Sequence, residues 1–186
     1  LIPALLAHGV EHLHEHVTLT PGIPLKPMLA KPTKAIGEVL DRFEAQAFTC
    51  EYKYDGERAQ VHGFMEHGQL QVRVFSRNSE DMSVKYPDLV VQIPHCLREG
   101  RVHSFVLDAE AVAWQPRASE PGRLLPFQEL SRRKRKDVQA DDVRVAVKVF
   151  AFDLLYLNGA SLLQEALVRR RALLRECFAP VEDEFD

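Results

Sequence analysis

Leu70, Val72 and Val74 alternate with Gln71 and Arg73, directly after His67-Gly68. A period of two puts the apolar residues on one face and the polar ones on the other, which is a half-buried strand and not a helix. The glycine marks a turn that feeds this strand back from the run 58–65. A second turn, Asp55-Gly56, separates that run from another at 48–54. Residues 104–114 carry Phe105, Leu107, Ala109 and Ala111 on one side, and residues 143–157 carry Val143, Val145, Val147 and Val149 on one side. Strands joined mostly in this hairpin-like way predict antiparallel sheets with helices outside.

The helices are fewer. Residues 1–16 place Ile2, Leu5, Leu6, Val10 and Leu13 near helical spacing. Residues 18–32 hold Pro21, Gly22, Pro24, Pro27 and Pro32 and read as an extended connector. Thr33 caps a helix over 34–46 with an apolar face of Ile36, Val39, Leu40 and Phe43. Pro87 starts a short helix that Pro94 ends. Ser161-Leu-Leu-Gln164 is a capping box opening a last helix that runs to about Cys177. Residues 115–124 are a loop, and 182–186 form an acidic end. The class expected is α+β, mostly antiparallel sheets flanked by helices. The order does not alternate strand and helix strictly enough for a doubly wound parallel sheet.

The chain has 186 residues, 46% of them hydrophobic and 27% charged, enough for one domain with a real core. A net charge of −3 argues against a generic nucleic-acid coat and leaves room for a local basic face. Cys50, Cys96 and Cys177 lie far apart with no C-x-x-C pair, so buried thiols in a reducing compartment are expected. No apolar run reaches the length of a membrane span. The chain opens on Leu1, which predicts a piece of something longer.

The run Cys50-Glu51-Tyr52-Lys53-Tyr54-Asp55-Gly56-Glu57-Arg58 sets one lysine among carboxylates and an arginine. On a strand, alternation puts Glu51, Lys53 and Asp55 on one face and Tyr52 and Tyr54 on the other. A free lysine has a pKa of about 10.4, so about one in 2,000 is neutral at pH 7. A nucleophilic lysine therefore needs cations or desolvation around it. Arg58, Arg77 and a nucleotide-bound Mg²⁺ are candidate cations, and Gly56 lets backbone approach a phosphate. The plainer account is a surface ion pair of Lys53 with Glu51 or Asp55.

The longer context resembles a known family. Phe48-Thr-Cys-Glu-Tyr-Lys-Tyr-Asp-Gly-Glu-Arg-Ala-Gln60 is similar to motif I of eukaryotic ATP-dependent DNA ligases, in particular the replicative type I enzymes. Pro21-Gly-Ile-Pro-Leu-Lys-Pro-Met-Leu-Ala30 resembles the segment leading into their adenylation domain. Phe75-Ser-Arg-Asn78 resembles motif III, and Phe150-Ala-Phe-Asp-Leu-Leu-Tyr-Leu-Asn-Gly159 resembles motif IIIa. Leu107-Asp-Ala-Glu-Ala-Val-Ala113 resembles the segment that supplies an acidic ribose or metal contact. All stand in family order across nearly the whole chain.

The resemblance implies a nucleotidyltransferase fold, with residues 1–24 a helix and connector and residues 25–186 the front part of the adenylation domain. Lys53 resembles the catalytic lysine that becomes adenylated by ATP. Glu51 resembles the reader of the adenine amino group, and Arg58 and Arg77 resemble contacts to ribose and phosphate. Glu110 resembles the carboxylate near ribose and Mg²⁺, and Phe152 the ring that stacks on adenine. A guanidinium fork suits phosphate oxygens, and a ring stacked on a base gains about 1–3 kcal/mol. Plainer accounts exist for each. Arg77 can be a surface residue, one of Asp108 and Glu110 can pair with a neighbouring arginine, and Phe152 can be core. Asp55 belongs to the signature, with loop-holding and metal contact both open.

Ser131-Arg132-Arg133-Lys134-Arg135-Lys136 is the densest basic run. It is a solvated helix face, a nuclear localisation patch, or, in the ligase reading, a hold on duplex backbone through Arg132, Arg133, Lys134, Arg135 and Lys136. Arg169-Arg-Arg171 reads as a solvated helix face. Of His8, His12, His14 and His16, His8 and His12 have i, i+4 spacing, but no acidic or cysteine residue stands at a convincing metal-ligand spacing, so exposed helix and linker histidines are expected rather than a metal site.

The family's later motifs IV and V are absent, and no lysine follows Lys148. A fragment without those cations is expected to adenylate poorly or not at all. For the parent, the resemblance implies a monomeric ATP-dependent DNA ligase of replication, repair and recombination. It would seal nicked duplex DNA through a lysine–AMP intermediate, be nuclear with a mitochondrial use open, and reach a sliding clamp through parts not seen here. Two alternatives stand beside it: a GTP-using mRNA capping enzyme or RNA ligase, and a non-catalytic DNA-docking module.

Overall fold

The computed structural model describes residues 2–13, 17–44, 46–116, 121–131, 133 and 145–186. Its centre is an antiparallel sheet. Strands β1 (Glu57–Glu66), β2 (Gln69–Phe75), β3 (Phe105–Gln115), β4 (Arg123–Leu124), β5 (Ala146–Leu157) and β6 (Ala160–Ser161) run in the order β2-β1-β3-β5-β6, and β4 pairs with β3. All of these ladders are antiparallel, as the turn pattern predicts. The helices are α1 (Ile2–His8), α2 (Ile36–Phe43), α3 (Pro87–Gln92), α4 (Gln128–Ser131) and α5 (Leu167–Cys177).

Register explains the core. Val61 faces Val74 across β1 and β2, Ala59 faces Ala109, and Ala111 faces Val149. Paired residues share a sheet face, so these form one continuous apolar surface. Tyr86, Leu89 and Ile93 join it from α3 and the 3₁₀ turn Ile93–Cys96 that follows. Leu174 of α5, Phe178 and Phe185 complete the cluster. The other face is polar: Arg58 lies opposite Glu110, Gln60 opposite Asp108, and Asp108 opposite Asp153.

The β1–β2 hairpin turns at His67 (φ 51°) and Gly68 (φ 78°), the two positive φ angles of the tight turn that matches strand twist. The β5–β6 hairpin does the same at Asn158 (φ 47°) and Gly159 (φ 94°). Asn-Gly is the strongest short-range hairpin signal in any sequence, and it displaces the expected capping box. Ser161 is drawn into β6 opposite Tyr156, and α5 starts only at Leu167, with Ala166 as an N-cap that makes no side-chain bond.

Other expectations are corrected too. Residues 48–54 form no strand, because β1 already has β2 on one edge and β3 on the other. Pro94 does not end the helical stretch but enters the 3₁₀ turn. The expected helix over 1–16 is ordered as α1 with none of its residues buried, and positions 14–16 lie outside the described residues. Val143 lies outside them as well. Cys96 and Cys177 are buried, whereas Cys50 is exposed.

The proline-rich connector crosses the polar face of β1. The Gly22 N–H donates to His62 Nδ1 (2.9 Å), and the Leu25 N–H donates to Gln60 Oε1 (2.8 Å). Gln60 Nε2 donates back to the Leu25 carbonyl (3.1 Å), and Arg58 donates to the Met28 carbonyl (3.1 Å). These are backbone partners that a connector without sheet pairing would otherwise leave to water.

Candidate active site

The connector ends beside a cleft of about 700 Å³ around the start of β1, whose lining includes Leu29, Ala30, Lys53, Gly56, Arg58, Arg77, Lys85 and Glu110. Four sequence-predicted residues, Lys53, Arg58, Arg77 and Glu110, thus share one space. Gly56 is dictated by close approach: a Cβ there would press on the Ala111 carbonyl and sit 2.8 Å from Glu110 Cγ.

Burial raises the Glu110 carboxyl above its ordinary range. Lys53, Arg58 and a hydrogen bond from the Gly56 backbone pull it back. Arg58 is a bidentate partner of Asp108, through Nε (2.9 Å) and a terminal nitrogen (2.5 Å), and its guanidinium stands 5.6 Å from the Phe152 ring centre. The arginine pairing that the sequence left open thus falls to Asp108, and Glu110 remains in the cleft. Asp55 is exposed.

Although the Arg58 guanidinium faces the Phe152 ring, Glu51 and Phe152 are not in the lining of that cleft. They line a second cavity of about 570 Å³ with Tyr52, Tyr54, Phe150 and Arg171. Glu51 and Lys53 therefore do not share a face as strand alternation predicts, since the segment is not a strand. Residues 46–55 are exposed except Tyr54, whose ring stacks on Phe150 at 3.9 Å, and residue 45 lies outside the described residues.

Three groups escaped the sequence reading. Glu57 accepts from Lys85 Nζ (2.5 Å) and from the Tyr86 hydroxyl (2.6 Å), which sets Lys85 in the cleft wall. Arg170 forks onto Asp153 (2.7 and 2.8 Å), and Arg171 reaches Glu51 (2.6 Å), so two of the three arginines expected on a solvated face are engaged. Only the triple-arginine run itself signalled them.

Of the basic run, Arg132 and Lys134, Arg135 and Lys136 lie outside the described residues. Arg133 is corrected. Its side chain is 4% exposed, paired with Asp88, and donates to the Val145 carbonyl (2.9 Å). It ties α3 to the start of β5, and its guanidinium is already engaged by the protein where a DNA contact was expected.

DNA ligase 1 of Schizosaccharomyces pombe is 54% identical over 185 residues, covering all of this chain and 23% of that protein. DNA ligase 1 of Drosophila melanogaster is 46% identical, covering all of this chain and 24% of that protein. DNA ligase 1 of Arabidopsis thaliana is 49% identical, covering 96% of this chain and 22% of that protein. The chain thus spans about a quarter of the length of these curated relatives. A solved mycobacterial DNA ligase D, complexed with ATP and MES, superposes with a TM-score of 0.47 at 31% identity over 68% of this chain and 35% of that one. The model of the ATP dependent DNA ligase domain matches residues 27–186, a span that contains every residue lining the cleft, and the chain belongs to this family.

Proposed function

We propose that this chain supplies the nucleotide-binding front of the adenylation domain of an ATP-dependent DNA ligase, with Lys53 as nucleophile. The observation that carries the proposal is one cleft whose lining brings together Lys53, Arg58, Arg77 and Glu110 in a member of the ligase domain family. The Lys53 amine bonds to the α-phosphorus of ATP, the bond to the β-phosphate oxygen breaks, pyrophosphate leaves, and the amine gives up a proton. The AMP then passes to the 5′-phosphate at a nick in duplex DNA, and the neighbouring 3′-hydroxyl displaces it to close the strand.

Arg77 meets developing charge on phosphate oxygens, and Arg58, held by Asp108, stands at the ribose. The base occupies the second cavity, between Phe152 and Glu51. Among the described residues no three His, Cys, Asp or Glu side chains gather as a metal site. Mg²⁺ fits nonetheless, because it takes one or two carboxylates plus substrate phosphates, and Glu110 is the carboxylate that would hold it. When bound it would neutralise phosphate charge. Nuclear residence, action as a monomer and a clamp partner complete the reading for the parent protein. The undescribed basic residues Arg132 and Lys134–Lys136 are its proposed DNA contacts and part of its nuclear address.

The test is a mass spectrum of a full-length protein carrying this sequence, incubated with ATP and Mg²⁺. An added AMP on the Lys53 peptide, absent from Lys53→Ala, is expected. Adduct formation elsewhere, or none, overturns the proposal.

A further inference from the structure

We infer that Arg171 is a specificity-positioning residue: it fixes the Glu51 carboxylate against β5 so that the free carboxylate oxygen selects a base carrying an amino group at the ring position it meets. This rests on the reading of the second cavity as the base site. A single terminal nitrogen of Arg171 donates both to Glu51 Oε1 (2.6 Å) and to the Phe152 carbonyl (3.0 Å). One guanidinium therefore joins the two residues that stand on either side of the proposed base, and all three line the same cavity.

The contact matters because Glu51 has little else to hold it. It lies in the exposed stretch 46–55, outside the sheet. A carboxylate on such a segment is free to rotate away or to face any base. With Oε1 bound to Arg171, Oε2 is left as an acceptor. An acceptor of fixed direction takes an N–H from an adenine amino group and opposes the carbonyl oxygen that guanine presents at the same position. The pair is partly exposed, with side chains 26% and 42% accessible, so its contribution to folding is small. Its effect lies in geometry.

The experiment compares lysine–nucleotide formation with labelled ATP and GTP in a full-length protein carrying this sequence. Arg171→Ala is expected to raise the KM for ATP and to reduce the ATP-to-GTP preference about tenfold, with kcat far less affected. Arg171→Lys, which keeps a cation beside Glu51, should recover most of the preference. In a Glu51→Gln background, Arg171→Ala should add nothing, since the partner it positions is gone. An unchanged preference in Arg171→Ala overturns the inference, as does an equal loss in the wild-type and Glu51→Gln backgrounds, which would mark a purely structural role. A wild-type protein that takes up no nucleotide at all overturns the base-site reading first, before any variant is compared.

Discussion

At Gly56 the backbone passes close enough to β3 that a methyl group has nowhere to go, since the obstacle is the Ala111 carbonyl rather than a movable side chain. Gly56→Ala is expected to cost about 1–3 kcal/mol, visible as a lower urea midpoint, and to displace Glu110 from the cleft. Glu110 itself gives a pH signature. Its carboxyl titrates above the ordinary range in the folded chain, so the native state holds a proton that the unfolded state releases. The stability that this carboxyl contributes is fully present below its unfolded pKa and is lost as pH climbs through the folded one. Glu110→Gln should flatten that decline and raise the denaturation midpoint at neutral pH, measured by urea titration across pH 4–8. These residues were legible in unequal degree. Lys53, Arg58, Arg77 and Glu110 stood out because the family spaces them along short segments. Glu57, Lys85 and Tyr86 meet only because the residues leading into α3 reach the start of β1, and no local pattern reports that. The same holds for Asp88 and Arg133, which are 45 positions apart.

Hairpins and connector differ in what each element asks of its residues. The β1–β2 turn was plain in the sequence, because alternation and glycine act within a few residues. His67→Asn, a residue that tolerates positive φ better, should leave the hairpin intact and stabilise it by about a few tenths of a kcal/mol, checked by thermal melting. The strand expected over 48–54 failed for a non-local reason: a strand needs a free edge, and β1 has none to offer. Asn158-Gly159 is a hairpin signal within the sequence itself, and it outcompetes the capping box that begins three residues on. For the connector, His62 is the sensor. Burial pushes its pKa down from 6.5 to about 4. A depressed pKa on a base means stability present above pH 6.5 and lost as pH falls towards 4. Hydrogen exchange should therefore show Gly22 and Leu25 amides opening as pH drops through that window, and His62→Gln should weaken the dependence.

Across the whole molecule, the sheet is finished by residues remote from it in sequence. The Val149 N–H donates to the Glu184 carbonyl (2.8 Å), the Asp186 N–H donates to the Val149 carbonyl (2.9 Å), and Phe185 is buried beside Phe178. Read only as an acidic tail, this segment hid its one core residue. Phe185→Ala is expected to lose about 3–5 kcal/mol and to expose the β5 edge to association, seen as a lower melting temperature and concentration-dependent light scattering. The strap over β1 carries a different consequence. Among the described residues, the hydrogen bonds that β1 makes to it reach amides and carbonyls, at Gly22, Leu25 and Met28, and not its side chains. Its trajectory is thus prescribed while its chemistry is left open. Ile23 and Lys26 can be rewritten, and a foreign peptide of equal length and matching donors can be grafted there, without disturbing how the strap lies beneath the cleft.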